Sequence, residues 1–266
     1  MLSDSISMDH RAIPDMTLLQ NKVALVTGGA GGLGRAIAHA LQAAGATGVV
    51  IDLHAEAAAK GAPPGWRGIA GDVCDEESLN AAVRFTVDTF GKLDIVVANA
   101  GIVQPWRETE SIALDEWDRT FAINVRGVIA TIKAAVPAMK AKGGSIIALG
   151  SEASVNGHPR QAAYVASKHA VLGIVRSTAL DLGRYNIRVN AVGPGVIPTD
   201  ALLGRVRGRA LAAGADPQEL VQKMIDNTSL GRLATEKEVA SSVLFLASDM
   251  ASAITGIILP IDAGQN

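Results

Sequence analysis

Residues 22–34 read Lys-Val-Ala-Leu-Val-Thr-Gly-Gly-Ala-Gly-Gly-Leu-Gly, an apolar run of strand length that leads directly into a cluster of glycines. The alanine-rich stretch 35–44 predicts a helix that ends at Gly45, and residues 48–52 form a second apolar run. Strand, glycine loop, helix and strand over about 30 residues make a βαβ unit. Because both strands are almost continuously apolar, they predict a parallel sheet that is covered on both faces.

The glycine loop suits a phosphate-binding turn. Gly28 permits a tight turn out of the strand, Gly32 lets the backbone approach a pyrophosphate, and Gly34 lets the helix pack closely on the strand. The helix that follows presents free N–H groups and a partial positive charge to the phosphates. Glycines also mark ordinary turns, but here an acidic residue ends the next strand, which is the context that a dinucleotide site requires.

That acidic residue is Asp52, 18 residues after Gly34. A carboxylate at this position accepts hydrogen bonds from the adenosine ribose and repels a 2′-phosphate. Leu53 and His54 follow it, so no arginine is adjacent. The pattern favours NAD over NADP, while the alternative is an aspartate that only caps the end of a strand.

Polar residues follow several of the remaining predicted strands. These strands lie at 66–73, 93–98, 144–149, 187–192 and 256–261, and the main predicted helices lie at 75–90, 115–139, 161–184 and 236–247. Asp72, Asn99 and Ser151 each come at or just after a strand's carboxyl end. Ligands of open parallel sheets bind at those ends, so these residues and Asp52 indicate one common site.

Tyr164 and Lys168 lie four residues apart on a predicted helix and therefore share a face. A lysine ammonium beside a phenol is expected to lower the phenol's pKa, which suits the tyrosine to proton transfer. The Ser151 hydroxyl is placed to bind the same substrate oxygen. Asn124, inside a long apolar helix, is costly unless it has a partner. Taken alone, the tyrosine–lysine spacing also occurs by chance on a solvent-facing helix.

Composition restricts the classes of partner. The chain has 266 residues, 48% of them apolar, and 28 glycines, which is enough for one large α/β core. A net charge of −2 and only 3% aromatic residues argue against a nucleic-acid partner. The single cysteine, Cys74, excludes a disulfide framework and a cysteine-rich metal site, so no metal is predicted and a reducing, cytoplasmic location is expected.

The chain shows no linker that would divide it. Residues 1–16 are expected to form a flexible tail and residues 17–266 a single domain. No basic segment followed by an apolar run opens the chain, and the apolar stretch 243–260 is too short and too interrupted to span a bilayer, so no membrane partner is expected. The pattern changes at about 200–230, where arginines at 205, 207 and 209 precede a new helix. We interpret this segment as a substrate lid, against the alternative of a surface excursion without a role.

The sequence resembles the short-chain dehydrogenase/reductase (SDR) family from about residue 18 to residue 264. The shared motifs are Thr27-Gly28-x-x-x-Gly32-x-Gly34, Asp72-Val73, Asn99-Ala100-Gly101, Asn124, Ser151, Tyr164-x-x-x-Lys168 and Pro194-Gly195. Each motif is weak alone, but their order and separations together are specific. Two departures, Ala98 where the family often has Asn and Gly150 where it often has Ser, remove no group that the chemistry needs.

The resemblance implies a doubly wound Rossmann domain with a seven-stranded parallel sheet flanked by helices, commonly assembled as a homotetramer. It implies that Asn124, Ser151, Tyr164 and Lys168 are catalytic. It further implies that NAD is held by Gly28, Gly31, Gly32, Leu33, Gly34, Asp52, Asp72, Val73, Asn99, Ala100, Gly101, Tyr164, Lys168, Pro194, Gly195, Val196, Ile197 and Thr199.

The substrate is the least determined part. Gln104, Trp106, Glu152 and His158 are candidate substrate residues because they follow the fourth and fifth strands. Their mixed character suits a cyclic or medium-sized apolar hydroxy compound, so the expected reaction is hydride transfer between NAD(H) and a secondary alcohol or ketone. The alternatives are an enzyme similar to 3-oxoacyl-(acyl-carrier-protein) reductases, for which the three arginines would supply a docking patch, and a nucleotide-binding protein without catalysis.

Overall fold

Seven parallel strands form one sheet. The computed structural model describes residues 18–265, and its strands are β1 (Val23–Thr27), β2 (Thr47–Asp52), β3 (Arg67–Ala70), β4 (Ile95–Ala98), β5 (Gly144–Leu149), β6 (Ile187–Pro194) and β7 (Ile258–Ile261). Their order across the sheet is β3-β2-β1-β4-β5-β6-β7. The direction of winding reverses between β1 and β4, where such sheets bind their ligands. The predicted doubly wound α/β fold is confirmed.

Helices cover both faces of this sheet. They are α1 (Gly32–Ala43), α2 (Ala55–Gly61), α3 (Glu76–Phe90), α4 (Leu114–Phe121), α5 (Gly127–Met139), α6 (Ala162–Leu182), α7 (Asp200–Ala213), α8 (Pro217–Asp226) and α9 (Glu236–Ala247). Buried residues of α1 and α9 pack with Val26 of β1, and buried residues of α3, α5 and α6 pack with its neighbour Leu25. Successive residues of β1 therefore pack into cores on opposite faces of the sheet, because side chains alternate between the two faces along a strand.

Local signals explain where several helices begin. The Asp75 side chain accepts a hydrogen bond from the backbone N–H of Glu77 at 3.1 Å and caps α3. Thr235 and Glu238 form a reciprocal capping box at the start of α9. Both helices lie where the sequence predicts them because such caps are local features.

The largest difference from the predicted elements is α2, where the sequence pattern suggested no element. The segment Ala55–Gly61 is rich in alanine, a strong helix former, but it lacks the apolar spacing of an amphipathic helix. It packs against β3 because Gly68 has no side chain: a Cβ there would lie 2.2 Å from the Ala58 carbonyl carbon. Strand β3 is also shorter than the predicted 66–73.

The predicted helix 115–139 is divided by a π-turn, Ala122–Arg126, between α4 and α5. Asn124 lies in this turn and is fully buried. π-Turns inside helices frequently occur at functional sites, because the extra residue redirects the side chains around it. The interruption therefore places a polar group inside an otherwise apolar helical segment.

By length and composition, the helical stretch Leu114–Met139 is the one candidate membrane span among the described residues. A core helix of a folded domain passes the same test, and Val128, Ile132 and Ala135 of this stretch pack into the core beneath the sheet. The finding is therefore weak evidence for a span.

The segment 200–230 contains α7 and α8, joined at Gly214. Helix α7 begins directly after Thr199, whose hydroxyl accepts from the backbone N–H of Leu202 at 3.2 Å. The lid role of this segment stays a prediction. The predicted flexible tail, residues 1–16, lies outside the described residues.

Candidate active site

A cavity of about 1020 Å³ runs along the carboxyl ends of the strands. Every predicted cofactor residue lines it: Gly28, Gly31, Gly32, Leu33, Gly34, Asp52, Asp72, Val73, Asn99, Ala100, Gly101, Tyr164, Lys168, Pro194, Gly195, Val196, Ile197 and Thr199. Ser151 lines it as well. The topology thus brings together residues that are up to 171 positions apart, from Gly28 to Thr199.

The glycines of the loop have two different surroundings. A Cβ on Gly34 would lie 2.2 Å from the Gly28 carbonyl oxygen, so this glycine lets α1 pack on the loop. A Cβ on Gly31 or Gly32 would meet nothing within 4 Å, although both residues line the cavity. The backbone there borders open space at a helix N-terminus, which fits the phosphates of a dinucleotide.

Asn99 braces the glycine loop. Its Nδ2 donates to the carbonyl oxygens of Thr27 at 2.8 Å and Gly28 at 2.9 Å. The Thr27 hydroxyl in turn accepts from the backbone N–H groups of Asn99 and Ala100. These hydrogen bonds hold the ends of β1 and β4 together, so Asn99 shapes the nucleotide end through the backbone.

Asp52 is held at the rim of the cavity. One carboxylate oxygen accepts from the backbone N–H of Ala30 at 3.0 Å, and the other accepts from that of Leu53 at 2.9 Å. A carboxylate oxygen can accept two hydrogen bonds, so both oxygens keep capacity for a ligand hydroxyl. The side chain is positioned before any ligand arrives, and its charge faces the cavity.

Ser151, Tyr164 and Lys168 meet at the other part of the cavity. Ser151 follows β5; its hydroxyl donates to the Pro194 carbonyl oxygen at 3.4 Å and lies close enough to the Tyr164 phenol to lower that group's pKa. The Lys168 Nζ lies 5.7 Å from the centroid of the Tyr164 ring and donates to the Leu149 carbonyl oxygen at 2.6 Å. A phenol, a hydroxyl and an amine are thus assembled around one point where a substrate oxygen can bind.

The pKa of Tyr164 differs from the sequence-based expectation. Burial raises it above the ordinary value, the Ser151 hydrogen bond and the Arg205 charge lower it, and the Glu152 charge raises it. Lys168, whose ammonium donates to the Leu149 carbonyl oxygen, is not among the main influences on this pKa. The expectation that Lys168 brings this pKa below its usual range is wrong for the protein alone, because desolvation opposes the phenolate.

Lys168 itself is almost completely buried. Burial lowers the pKa of its ammonium from 10.5 to about 8. The residue is still mostly protonated at neutral pH. It therefore supplies a positive charge that is poorly solvated and close to the reacting groups.

Asn124 is a fully hydrogen-bonded link between three segments. Its Nδ2 donates to the Ile102 carbonyl oxygen at 2.8 Å and to the Ser167 hydroxyl at 3.1 Å, and its Oδ1 accepts from the Ile102 N–H at 2.8 Å. A Cβ on Gly101 would lie 3.3 Å from Oδ1 and 3.8 Å from the Lys168 Nζ, so both polar groups border the same spot. Asn124 does not line the main cavity, and its role in proton relay stays a prediction.

The four candidate substrate residues do not all line the main cavity. Trp106 and Glu152 line the main cavity, whereas Gln104 and His158 do not. Gln104 is buried beside a separate small cavity. His158 instead contacts the Glu152 carboxylate through Nε2 at 2.7 Å. Following a strand places a residue near the site, but the path of the loop decides which side chains reach it.

The position of Arg205 differs from the docking patch that the sequence suggests. Together with Arg207 and Arg209 it suggested a docking patch, yet Arg205 is partly buried and lines the cavity, while Arg207 is exposed. Gln161 and Leu202 also line the cavity and were not singled out. The helical periodicity of α7 predicts that Arg205 and Arg207 point in different directions, because residues two positions apart on a helix do not share a face.

Comparisons with known proteins agree with this geometry. A family model described as Enoyl-(Acyl carrier protein) reductase matches residues 28–266. The chain is 41% identical over 256 residues to the trans-4-hydroxycyclohexanecarboxylate dehydrogenase of Sinomonas cyclohexanicum, covering 92% of each chain. It is 37% identical over 260 residues to short-chain dehydrogenase reductase 3a of Arabidopsis thaliana, covering 93% of this chain and 96% of the relative.

A solved structure is similar over the same extent. The crystal structure of an NAD⁺-bound xylitol dehydrogenase has a TM-score of 0.85 and 33% identity, and the match covers 92% of this chain and 99% of the other. The resemblance inferred from the motifs is thereby confirmed. The chain belongs to the short-chain dehydrogenase/reductase family of oxidoreductases.

Proposed function

We propose that this enzyme transfers a hydride between NAD(H) and a secondary alcohol or ketone. The observation that carries the proposal is the convergence of Ser151, Tyr164 and Lys168 on a cavity that continues to the glycine loop. When bound, NAD(H) supplies the hydride acceptor or donor. The residues of the chain bind, orient and exchange the proton.

Tyr164 moves the proton. In alcohol oxidation its oxygen accepts the proton of the substrate hydroxyl, and in ketone reduction it donates one to the carbonyl oxygen. Ser151 donates a hydrogen bond to the same substrate oxygen and orients it. Lys168 adds positive charge beside the phenol and binds the nicotinamide ribose, while the segment 194–199 positions the carboxamide. Asn124 would support a water that links Lys168 to solvent.

The choice of NAD rests on Asp52. Its carboxylate is held at the rim by two backbone N–H groups and cannot turn away without breaking both hydrogen bonds. A 2′-phosphate there would meet a like charge, whereas a ribose diol would find an acceptor. The NAD⁺ named for the xylitol dehydrogenase structure is consistent with this choice.

The proposed substrate is a cyclic or medium-sized apolar hydroxy compound. Trp106, Ile102 and Val103 supply apolar surface next to Ser151 and Tyr164. The relative from Sinomonas cyclohexanicum is named for a cyclic hydroxy compound. A ring of that size would lie against these side chains with its hydroxyl at Tyr164.

A second candidate is reduction of a substrate on acyl carrier protein, which the description of the matching family model favours. This function needs a basic docking surface, but Arg205 faces the cavity and leaves Arg207 as the exposed arginine whose side chain is described. Asp52 also opposes the NADPH that such enzymes usually use. A binding protein without catalysis is the least supported alternative, because Ser151, Tyr164 and Lys168 are all in place.

Absorbance of NADH during incubation with a panel of alcohols and ketones tests the proposal. The panel is run with NAD and NADP side by side, together with an acyl-carrier-protein thioester. Turnover of cyclic alcohols with a preference for NAD is expected. Turnover of the thioester with NADPH alone would favour the second candidate, and NADH binding without any turnover would favour the binding protein.

We further propose a homotetramer in the cytoplasm, with residues 200–230 acting as a substrate lid. Exposed apolar side chains on the outer helices, among them Leu114, Ile129 and Leu180, would be covered in the tetramer. The single cysteine suits a reducing compartment. Light scattering after size-exclusion chromatography measures the assembly, and cell fractionation measures the location.

A further inference from the structure

Arg205 has an unusual environment for a charged residue. It lies on α7, is partly buried and lines the active-site cavity. Its Nε is buried and has no hydrogen-bond partner, and no carboxylate of the described residues lies within ion-pair distance of its guanidinium. A guanidinium with a buried and unsatisfied N–H group is costly unless a ligand supplies the missing acceptor.

Arg205 also acts on Tyr164, the proposed proton-transfer group. It interacts electrostatically with Tyr164, each residue shifting the pKa of the other. Glu152, an acidic residue of the cavity whose charge also acts on Tyr164, contacts His158 at 2.7 Å. In addition to Lys168, the cavity near Tyr164 therefore holds a second positive side chain, Arg205, which forms no ion pair among the described residues.

We propose that Arg205 binds a carboxylate of the substrate, so that the enzyme acts on hydroxy acids and the corresponding oxo acids. This inference rests on the proposed function and specifies its substrate class. A guanidinium matches a carboxylate through two parallel N–H···O hydrogen bonds, which fix orientation as well as add affinity. One end of the substrate would be held by Arg205 while its hydroxyl lies at Ser151 and Tyr164.

The proposed contact of Arg205 with the substrate lies on α7, which begins directly after the segment 194–199 that we propose to bind the nicotinamide. Thr199 caps α7, and Arg205 lies less than two turns farther along the helix. The same short segment would thus contact the nicotinamide at one end and the substrate carboxylate at the other. Arg207, exposed on the same helix, offers a matched control with the same charge and no access to the cavity.

The test compares a carboxylate substrate with its uncharged counterpart, using 4-hydroxycyclohexanecarboxylate and its methyl ester with NAD. The unaltered enzyme should prefer the acid. Arg205→Ala should raise KM for the acid and lower its kcat/KM about 10- to 100-fold more than that of the ester, the worth of a charge-assisted hydrogen bond, because both substrates share any effect on the pKa of Tyr164. Arg205→Lys should recover part of the loss, and Arg207→Ala should change neither substrate.

A binding measurement separates this inference from the proposed function. Cyclohexanecarboxylate, which has no hydroxyl to oxidise, is titrated by calorimetry into the enzyme saturated with NADH. Binding that is lost in Arg205→Ala but kept in Arg207→Ala supports the carboxylate site even if neither alcohol is oxidised. The inference is overturned if the acid is not preferred, or if Arg205→Ala weakens acid and ester equally, since the arginine would then act only on Tyr164 or on folding.

Discussion

The two ends of the active-site cavity are built in different ways. The nucleotide end is made of backbone: strand ends, glycines and the hydrogen bonds of Asn99, with Gly31 and Gly32 open to the cavity. The substrate end is made of side chains from α6 and α7 whose charges are poorly solvated, chiefly Lys168 and Arg205. The nucleotide end is shaped by hydrogen bonds within the protein, whereas the substrate end places poorly solvated charges beside the reacting groups.

The largest expected effect lies at the substrate end. Tyr164→Phe removes the proton-transfer group and should lower kcat by at least about 10²- to 10⁴-fold, the usual worth of general acid–base catalysis. Because the nucleotide end is built independently, NADH affinity should change little. Steady-state turnover and NADH fluorescence titration measure the two properties. Nearly intact turnover would show that Tyr164 is not the base.

The second prediction concerns pH. Because burial raises the pKa of Tyr164, the phenol is protonated at neutral pH, and the base form needed for oxidation becomes more abundant as the pH rises. Oxidation should therefore accelerate about tenfold per pH unit below that pKa, while ketone reduction, which needs the protonated phenol, stays level. Initial rates in both directions across the neutral and alkaline range provide the test. Ultraviolet difference spectra of the enzyme without NAD that show a Tyr164 phenolate at neutral pH, absent in Tyr164→Phe, would contradict the raised pKa.

At the nucleotide end, Asp52→Ala tests the charged side chain that we propose to set cofactor choice. It removes an acceptor for the ribose and the repulsion of a 2′-phosphate, so the preference for NAD over NADP should fall about 10- to 100-fold. The ratio of kcat/KM values for the two cofactors measures this change. Glu236, which also lines the cavity, supplies a control, since Glu236→Gln should keep the preference. An unchanged ratio in Asp52→Ala would refute the assignment.

The smallest effects separate two kinds of glycine in one loop. Gly34→Ala would place a Cβ 2.2 Å from the Gly28 carbonyl oxygen and should lower the free energy of unfolding by about 1–3 kcal/mol. Gly31 has an extended backbone (φ −152°) and open space around it, so Gly31→Ala should leave stability within about 0.5 kcal/mol while weakening NADH binding. Chemical denaturation and NADH titration give both numbers. Equal stability losses in the two variants would contradict the distinction.

The two ends of the cavity also differ in how well the sequence predicts their residues. The residues of the nucleotide end were predicted from local context, because a strand, a glycine loop and a helix are adjacent in the chain. Helices α3 and α9 also begin with local features in the structure, the caps at Asp75 and Thr235. Alanine-rich α2 was missed because its helix propensity carries no apolar period.

At the substrate end the sequence predicts only part of the side-chain arrangement. The spacing of Tyr164 and Lys168 predicted a shared face, but burial decided that the pKa of Tyr164 rises. Gln104 and His158 follow strands as Trp106 and Glu152 do, yet the loop turns them away from the cavity. Side-chain solvation and loop path are sums over contacts between distant segments, so no local pattern specifies them.

By itself the sequence determined the doubly wound fold, the family and the strand ends at which the cavity opens, because these depend on periodicity, glycines and motif order. Only the tertiary structure decided that Arg205 faces Tyr164 within the cavity while Arg207 faces outward. Helical spacing predicts that the two arginines diverge, but which one faces the cavity depends on how α7 packs after Thr199. That packing makes one arginine of α7 a poorly solvated cation of the substrate end, in addition to Lys168.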